Sequence, residues 1–417
     1  MADSSIPKFH EKSREERIKK IASFAGLSKE DIAILKNEGG ISFNDANNMV
    51  ENAIGTVSFP LGIATNFRIN GKDYLIPMVI EESSVIAAAS RAAKIAKKQG
   101  GFTMKADNSY SIGQIQVVDV KVKSAMSKVM NSKKEIIKLA NSKSKTLSKM
   151  GKGAKQVTCK KVNTDFGPML IVELLIDVGD AMGANITNTM CEGVAPLIEK
   201  LTGGRVILRI LSNYSTKRLV RGTAIFDKEE LGGKEIVDKI ILAYQFAAND
   251  PYRAVTHNKG IMNGIIAVAN ATGQDTRAIE AAAHAYASRT GRYGSLTEWE
   301  KSKNGNLIGR IELPMSVGIV GGIVNIHPKI KVCTKILGTK SAKELACVIG
   351  AVGLAQNLSA IRALASEGIQ KGHMRLHARN IAASAGATLD KINKVTRQMI
   401  KEGNISVHRA KEILKEL

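Results

Sequence analysis

The chain is poor in the residues that most often announce a protein class. Of its 417 residues only one is Trp, four are Cys and eight are Pro, and aromatics make up 4%. Cys159, Cys191, Cys333 and Cys347 are too few and too scattered for a disulfide framework, and no CxxC pair offers a metal site. They read as reduced core fillers. No run approaches the roughly 18 apolar residues of a membrane span. The best stretch, VGIVGGIVNI at 317–326, is short, broken by glycine and followed by His-Pro. The first twenty residues hold no apolar signal core, so a cytosolic protein without membrane contact is expected. His373 and His377 stand at i, i+4 in KGHMRLHARN, but the glutamate of HExxH is missing and no third ligand is signalled nearby. No metal is expected, and a single acid/base His on a mobile lobe fits equally well.

What is present is an ordinary globular composition, 44% hydrophobic and 24% charged, in a chain long enough for two or three domains. The formal net charge of +23 is concentrated: from Lys121 to Lys161 there are 13 Lys against one acid, Glu135. That stretch holds no aromatic residue for base stacking and no Arg for bidentate recognition, which argues against nucleic acid. A solvated basic helix face or a site for small polyanions remains.

Periodicity organises the rest. Helical spacing covers 43–54 and 84–99, the latter after a Ser cap and ending at Gly100-Gly101; between them an alternating stretch turns at Asn70-Gly71, a hairpin signal. From 108 to 216 strand-like IGQIQVVDVKV, a Lys-rich helix over 126–148, strands KQVTCKKVN and PMLIVELLIDV, a helix after Gly183 and strand RVILRIL give a β-α-β-β-α-β order. The spacing predicts helices again at 229–248, 275–289 and 341–366, then three short ones starting near Gln370, Thr388 and Ser406. The expected class is α+β: a large mixed domain from 1–107 and 217–367, an inserted small ferredoxin-like domain at 108–216, and a three-helix C-terminal flap at 368–417 able to act as a lid.

Four places could carry chemistry. Glu81-Glu82 lies between an apolar strand and an Ala-rich helix, where acids favour the helix dipole and where a carboxyl could also donate protons. DPYRAVTHNKGIMNGI reads as a turn-rich stretch that gathers Arg253, Thr256, His257, Asn258, Lys259 and Asn263; a lysine there could stabilise an oxyanion. Asp275 opens a helix and reads locally as its N-cap. DAMGANITNTM at 180–190 is a small-residue turn before a helix, open to close backbone approach.

Six blocks in order, ENAIGT (51–56), EESSVIAAAS (81–90), DAMGANITNTM (180–190), THNKGIMNG (256–264), HAYASRTGRYGSLTEWE (284–300) and GLAQNLSAIRALASEGIQKGHM (353–374), resemble the hydroxymethylglutaryl-coenzyme A reductases over essentially the whole chain. DAMGAN, where the animal and plant type reads DAMGMN, places the resemblance in the class II group.

The resemblance implies reduction of the HMG-CoA thioester to mevalonate and free CoA by two reduced nicotinamides in succession. It implies that Glu82 donates protons, Lys259 stabilises the oxyanions, Asp275 joins them in a hydrogen-bond network and His373 protonates the departing CoA thiolate. Ser84, Arg253, Thr256, Asn263 and Gln356 match positions that grip the HMG portion, with Arg253 suited to its free carboxylate. Asp180, Met182, Gly183, Asn185 and Asn213 match the dinucleotide site, where a turn before a helix can meet a pyrophosphate without GxGxxG. Ser144, between Lys143 and Lys145, stands where an NADH-selective enzyme needs a carboxylate, so NADPH is expected and NADH is the lesser cofactor. A homodimer with its active site at the subunit interface is implied, with larger assemblies of dimers allowed. The alternatives are the same fold run toward NAD-linked mevalonate oxidation, or a basic RNA-binding protein.

Overall fold

The computed structural model describes residues 3–366, 378–388 and 390–417. Strands β1 (Leu61–Ile69) and β2 (Lys72–Val79) form the expected hairpin, with Asn70 and Gly71 at φ 49° and 80°, the turn whose twist matches the strands. The Asn70 side chain accepts from Met104 N–H at 2.8 Å and donates to its carbonyl at 2.9 Å, which holds β3 (Phe102–Ala106) beside β1. The chain then leaves this sheet. β4 (Tyr110–Val118), β5 (Gly153–Thr164), β6 (Gly167–Asp177) and β7 (Arg205–Ser212) build a second sheet ordered β5-β6-β4-β7, every pairing antiparallel. It returns as β8 (Leu219–Phe226), β9 (Thr297–Lys301) and β10 (Leu307–Pro314) to complete a six-stranded sheet ordered β2-β1-β3-β8-β10-β9. With its crossing helices, the four-stranded sheet has the ferredoxin-like order that β-α-β-β-α-β implies.

Each sheet has its own apolar core. The Lys-rich segment, expected as one helix, is three: Val122–Asn131, Lys133–Ser142 and Lys145–Lys149. The breaks fall at Ser132 and Ser144, and the Ser144 hydroxyl accepts from Leu147 N–H, the local bond by which serine competes with helix continuation. β4 stops at Val118 because Asp119 takes a left-handed φ of 59°. All four cysteines are free, and burial pushes the Cys191 thiol up to about 12, as befits inert core fillers.

Helix Ala342–Ala365 runs through the larger core. Among the described residues it alone is long and apolar enough by composition to cross a membrane, and 83% of that stretch is buried inside the protein.

The stretch DPYRAVTHNKGIMNGI is not turn-rich. It is the first part of a continuous helix, Pro251–Ala271, started by the Asp250 side chain accepting from Arg253 N–H at 2.8 Å, with Pro251 in the first turn where no amide is needed. Glycines on it and on helix Ala342–Ala365 serve packing. A Cβ on Gly264 would stand 2.9 Å from Gln356 Cβ, one on Gly260 3.8 Å from Ala360 Cβ, and one on Gly353 2.9 Å from the Ile265 side chain. Rising numbers on one helix thus face falling numbers on the other, so the two helices lie antiparallel at close approach.

Gly264→Leu should overpack this crossing and destabilise the protein by about 1–3 kcal/mol; a urea midpoint equal to wild type would contradict the packing.

Candidate active site

The buried strand β2 delivers the chain into a tight turn at 81–84. Ser84 holds the N-cap position of helix Val85–Lys97, as its sequence suggests, yet its hydroxyl makes no capping bond because the residue sits at φ 80°. Ser83 Oγ is buried without a partner. A left-handed non-glycine residue beside an orphaned hydroxyl marks backbone held for use and not for stability. The turn presents Glu82, whose Oε2 accepts from Lys259 Nζ and from Asn263 Nδ2, both at 3.3 Å. Lys259 and Asn263 are one helical turn apart on Pro251–Ala271, so a single helix face grips the carboxylate twice.

That helix divides the polar cluster read from the sequence. Arg253 is half-buried and has no ion-pair partner among the described residues; burial pulls its guanidinium below its usual range. Thr256 is exposed, its hydroxyl donating to Tyr252 carbonyl at 3.4 Å. His257 and Asn258 point the other way, into the core. Asn258 donates to Tyr293 Oη and Gly294 carbonyl and accepts from Leu296 N–H, a structural knot. His257 Nε2 lies 2.7 Å from Thr297 Oγ1, which donates onward to Asn357 Oδ1, so the histidine carries its proton on Nε2. Its Nδ1 is unpartnered, and burial followed by the Arg253 charge pushes its pKa down to about 3. Gln356, across the helix crossing from Gly264, is buried with Oε1 unpartnered, an acceptor free for a ligand.

The residues matched to a dinucleotide site lie elsewhere. Gly183, at φ 105°, starts helix Ala184–Thr202 with no side-chain cap, and a Cβ there would stand 2.6 Å from the Val178 side chain. Asn185 and Asn213 are exposed, and Met182 is half-buried. Asp180 turns its carboxylate to the start of helix Ala342–Ala365, accepting from Ala342 N–H at 2.8 Å. Lys143 lays its stem along the same helix Ala184–Thr202, where a Cβ on Gly193 would meet Lys143 Cε at 2.4 Å. Lys145 is exposed and Ser144 half-buried. An uncapped helix start, with a lysine along the same helix and no carboxylate at 143–145, suits a phosphorylated dinucleotide.

Two helices measure how far apart these groups lie. Asp180 bonds Ala342 while Gln356 sits 14 residues along the same helix, a rise of about 21 Å at 1.5 Å per residue. On the antiparallel partner, Lys259 and Ala271 are separated by about 18 Å by the same rule, and Asp275 follows beyond the helix end. There Gln274 donates to Gly318 carbonyl at 3.0 Å and accepts from its N–H at 2.8 Å. Gly318 packs on the turn at 180–182, its would-be Cβ 2.4 Å from Met182 N. Asp275 itself accepts from Ala278 N–H at 3.0 Å as an N-cap and lies 3.8 Å from Arg277. One end of the helix pair therefore holds Glu82, Lys259, Asn263 and Gln356; the other holds the Asp180–Gly183 turn and Asp275. His373 falls outside the described residues.

Sequence reasoning missed two features. A cleft of about 1590 Å³ opens beside Glu82 and Ser84 and runs along Arg91, Lys94, Arg17 and Lys329. Arg218 is buried under the cofactor-type turn. Neither belongs to a motif, because the cleft wall is assembled from distant segments and one arginine among STKRLVRG carries no local signal.

A family model described as hydroxymethylglutaryl-coenzyme A reductase matches residues 13–378. A 3-hydroxy-3-methylglutaryl-coenzyme A reductase of Archaeoglobus fulgidus is 54% identical over 99% of this chain and 95% of that protein. A 3-hydroxy-3-methylglutaryl-coenzyme A reductase structure from Streptococcus pneumoniae superimposes with a TM-score of 0.85 at 40% identity, covering 99% of both chains. A class II reductase from the same organism, solved with NADPH in open conformations, gives 0.83 at 40% identity over 97% of this chain and 99% of that one.

Buried neutral His257 makes a pH test. Its folded pKa near 3 lies below the unfolded value near 6.5, so its contribution is intact above 6.5 and is lost as pH falls toward 3. At pH 5 this amounts to about 2 kcal/mol. His257→Gln should lose less stability than wild type between pH 7 and pH 5 in thermal melts; equal losses would contradict the assignment.

Proposed function

Because the chain belongs to the hydroxymethylglutaryl-coenzyme A reductase family, in its class II branch, we propose that the two half-sites on its antiparallel helix pair meet across a dimer to reduce HMG-CoA. The reaction is that of the family: the thioester takes two hydrides and two protons, releasing mevalonate and CoA and leaving two oxidised nicotinamides. NADPH is the reductant and, when bound, supplies the hydride.

The single observation that carries the site reading is the Glu82–Lys259–Asn263 contact. The Lys259 ammonium neutralises the oxyanion that forms as hydride reaches the thioester carbonyl and again as the aldehyde is reduced. Glu82, held by Asn263, protonates the oxyanion to the hemithioacetal hydroxyl, takes that proton back as the C–S bond breaks and the aldehyde forms, and returns it to the same oxygen after the second hydride to give the alcohol. Arg253, half-buried without an anionic partner, suits the free carboxylate of the acyl group, with Thr256, Ser84 and Gln356 Oε1 offering its hydroxyl and carbonyl oxygens further bonds. His373, from the C-terminal flap, protonates the CoA thiolate. The cleft running from Glu82 along Arg91 and Lys94 suits the phosphates of CoA.

A ruler of about 20 Å separates Glu82 and Lys259 from the dinucleotide turn of the same chain, so one subunit's cofactor serves its partner's acyl site, with Asp275 coming from the cofactor side. Exposed apolar side chains at the acyl end support this. Ile54 is 99% exposed and Tyr252 88%, and Val57, Leu242 and Phe246 are also uncovered, a density that marks an interface. We read the enzyme as a cytoplasmic homodimer with an inserted cofactor domain at 108–216 and a flap at 368–417.

Lys259→Ala should lower kcat by at least about 100-fold, as loss of an oxyanion donor does, with two NADPH oxidised per CoA thiol released in wild type. The check is absorbance at 340 nm against thiol titration, and a fully active variant would remove Lys259 from the chemistry. In the same assay Arg253→Ala should raise KM for HMG-CoA more than it lowers kcat.

A further inference from the structure

One buried charge has no part in the chemistry above. Arg218 lies in the segment that leads from β7 back to β8 and is 4% exposed. Its Nη1 donates to the Met182 carbonyl at 2.9 Å, and its Nη2 donates to the carbonyls of Ala181, at 3.2 Å, and Val317. No carboxylate among the described residues pairs with it at bonding distance; Asp177 and Asp180 act through space, and burial pushes its pKa down to about 10. An ion buried on neutral carbonyls is a costly way to fill space. Its planar fork is suited to fixing three carbonyls in one geometry.

Those carbonyls belong to the dinucleotide turn and to the strap beside it. Ile319 N–H donates to Asp180 carbonyl at 2.9 Å, Ala181 bridges Val320, and Gly318 fits against Met182 N so closely that no side chain could stand there. From the other side, Gln274 clamps both polar groups of Gly318, and the next residue is Asp275. Guanidinium, turn, strap and Gln274 form one connected path from the cofactor turn to the acidic residue.

We propose that Arg218 is a positioning residue for hydride transfer, turning the Ala181 and Met182 carbonyls inward so that the amides from Gly183 onward face the dinucleotide in fixed register with Asp275. The inference rests on the reading of the 180–185 turn as the dinucleotide site. Arg218 touches neither cofactor nor substrate, and charge alone does not suffice, since a lysine cannot present the fork.

The test compares full-length wild type, Arg218→Lys, Arg218→Met and Asn185→Ala by fluorescence titration with NADPH, steady-state kinetics and thermal melts. Both Arg218 variants should bind NADPH about tenfold more weakly, a typical loss when a supporting residue is removed, while KM for HMG-CoA stays within about twofold. A lowered melting temperature with unchanged NADPH affinity, or full restoration by lysine, overturns the proposal. Asn185→Ala separates the layers: weakened NADPH binding there with none in Arg218→Lys sinks only the Arg218 role, whereas unchanged binding in all three variants sinks the cofactor reading as well. Should the Arg218 variants fail to fold, hydrogen exchange on wild type decides. NADPH should slow exchange at the Gly318 and Ile319 amides, and unaltered rates there refute the coupling.

Discussion

The close antiparallel crossing of helices Pro251–Ala271 and Ala342–Ala365 is the constraint from which the site follows. Glycines at 260, 264 and 353 remove the side chains that would hold the backbones apart, so the pair behaves as one rigid bar in the larger core. A bar of that length has two ends and cannot bring them together. Lys259, Asn263 and Gln356 project at one end, where the strained turn after β2 adds Glu82; Asp180 caps the other end, where Gln274 and Asp275 begin the next helix. Rigidity keeps each half-site accurate. It also makes each half incomplete, and a two-fold partner whose bar lies alongside in the opposite sense is the simplest completion.

Electrostatics follows the same division. HMG-CoA and NADPH are polyanions, and the +23 chain offers each a basic surface without making either surface part of the catalytic contact. Lys143 lies along the middle of helix Ala184–Thr202, at Gly193, while Arg91 and Lys94 line the cleft beside Glu82. The Glu82 carboxylate and the Lys259 ammonium pair with each other at 3.3 Å. Arg218 is the exception, a cation spent on backbone carbonyls.

Much of this was legible in the sequence, and the failures have physical causes. Asn70-Gly71 specified its hairpin because that pair takes two positive φ values cheaply, and the β-α-β-β-α-β order survived because strand alternation is a local signal. The motif blocks identified Glu82, Lys259 and Asn263, which meet at one point. Gly260 and Gly264 were misread as turn formers because glycine at a helix crossing and glycine in a turn look alike until the partner helix is known. Ser84 held the cap position, but its left-handed backbone removed the hydroxyl from the job. The lysine helix broke at Ser132 and Ser144, and the side-chain bond of Ser144 to Leu147 N–H is invisible to periodicity. Asp275 read as an N-cap and is one, so its proposed place in the chemistry rests on the proposed dimer. Arg218 was unreadable, since its value lies in three carbonyls supplied by residues 36 to 99 positions away.

Subunit complementation tests the central claim most directly. On the proposed reading, Lys259→Ala and Asp275→Asn each remove one essential group from both sites of a homodimer. If the acyl end of one subunit works with the cofactor end of its partner, random mixing of the two variants creates heterodimers with one intact site, and activity should rise to about a quarter of wild type. If every site is built within one chain, the mixture stays as inactive as its parents, and the two-ended bar is not the basis of catalysis.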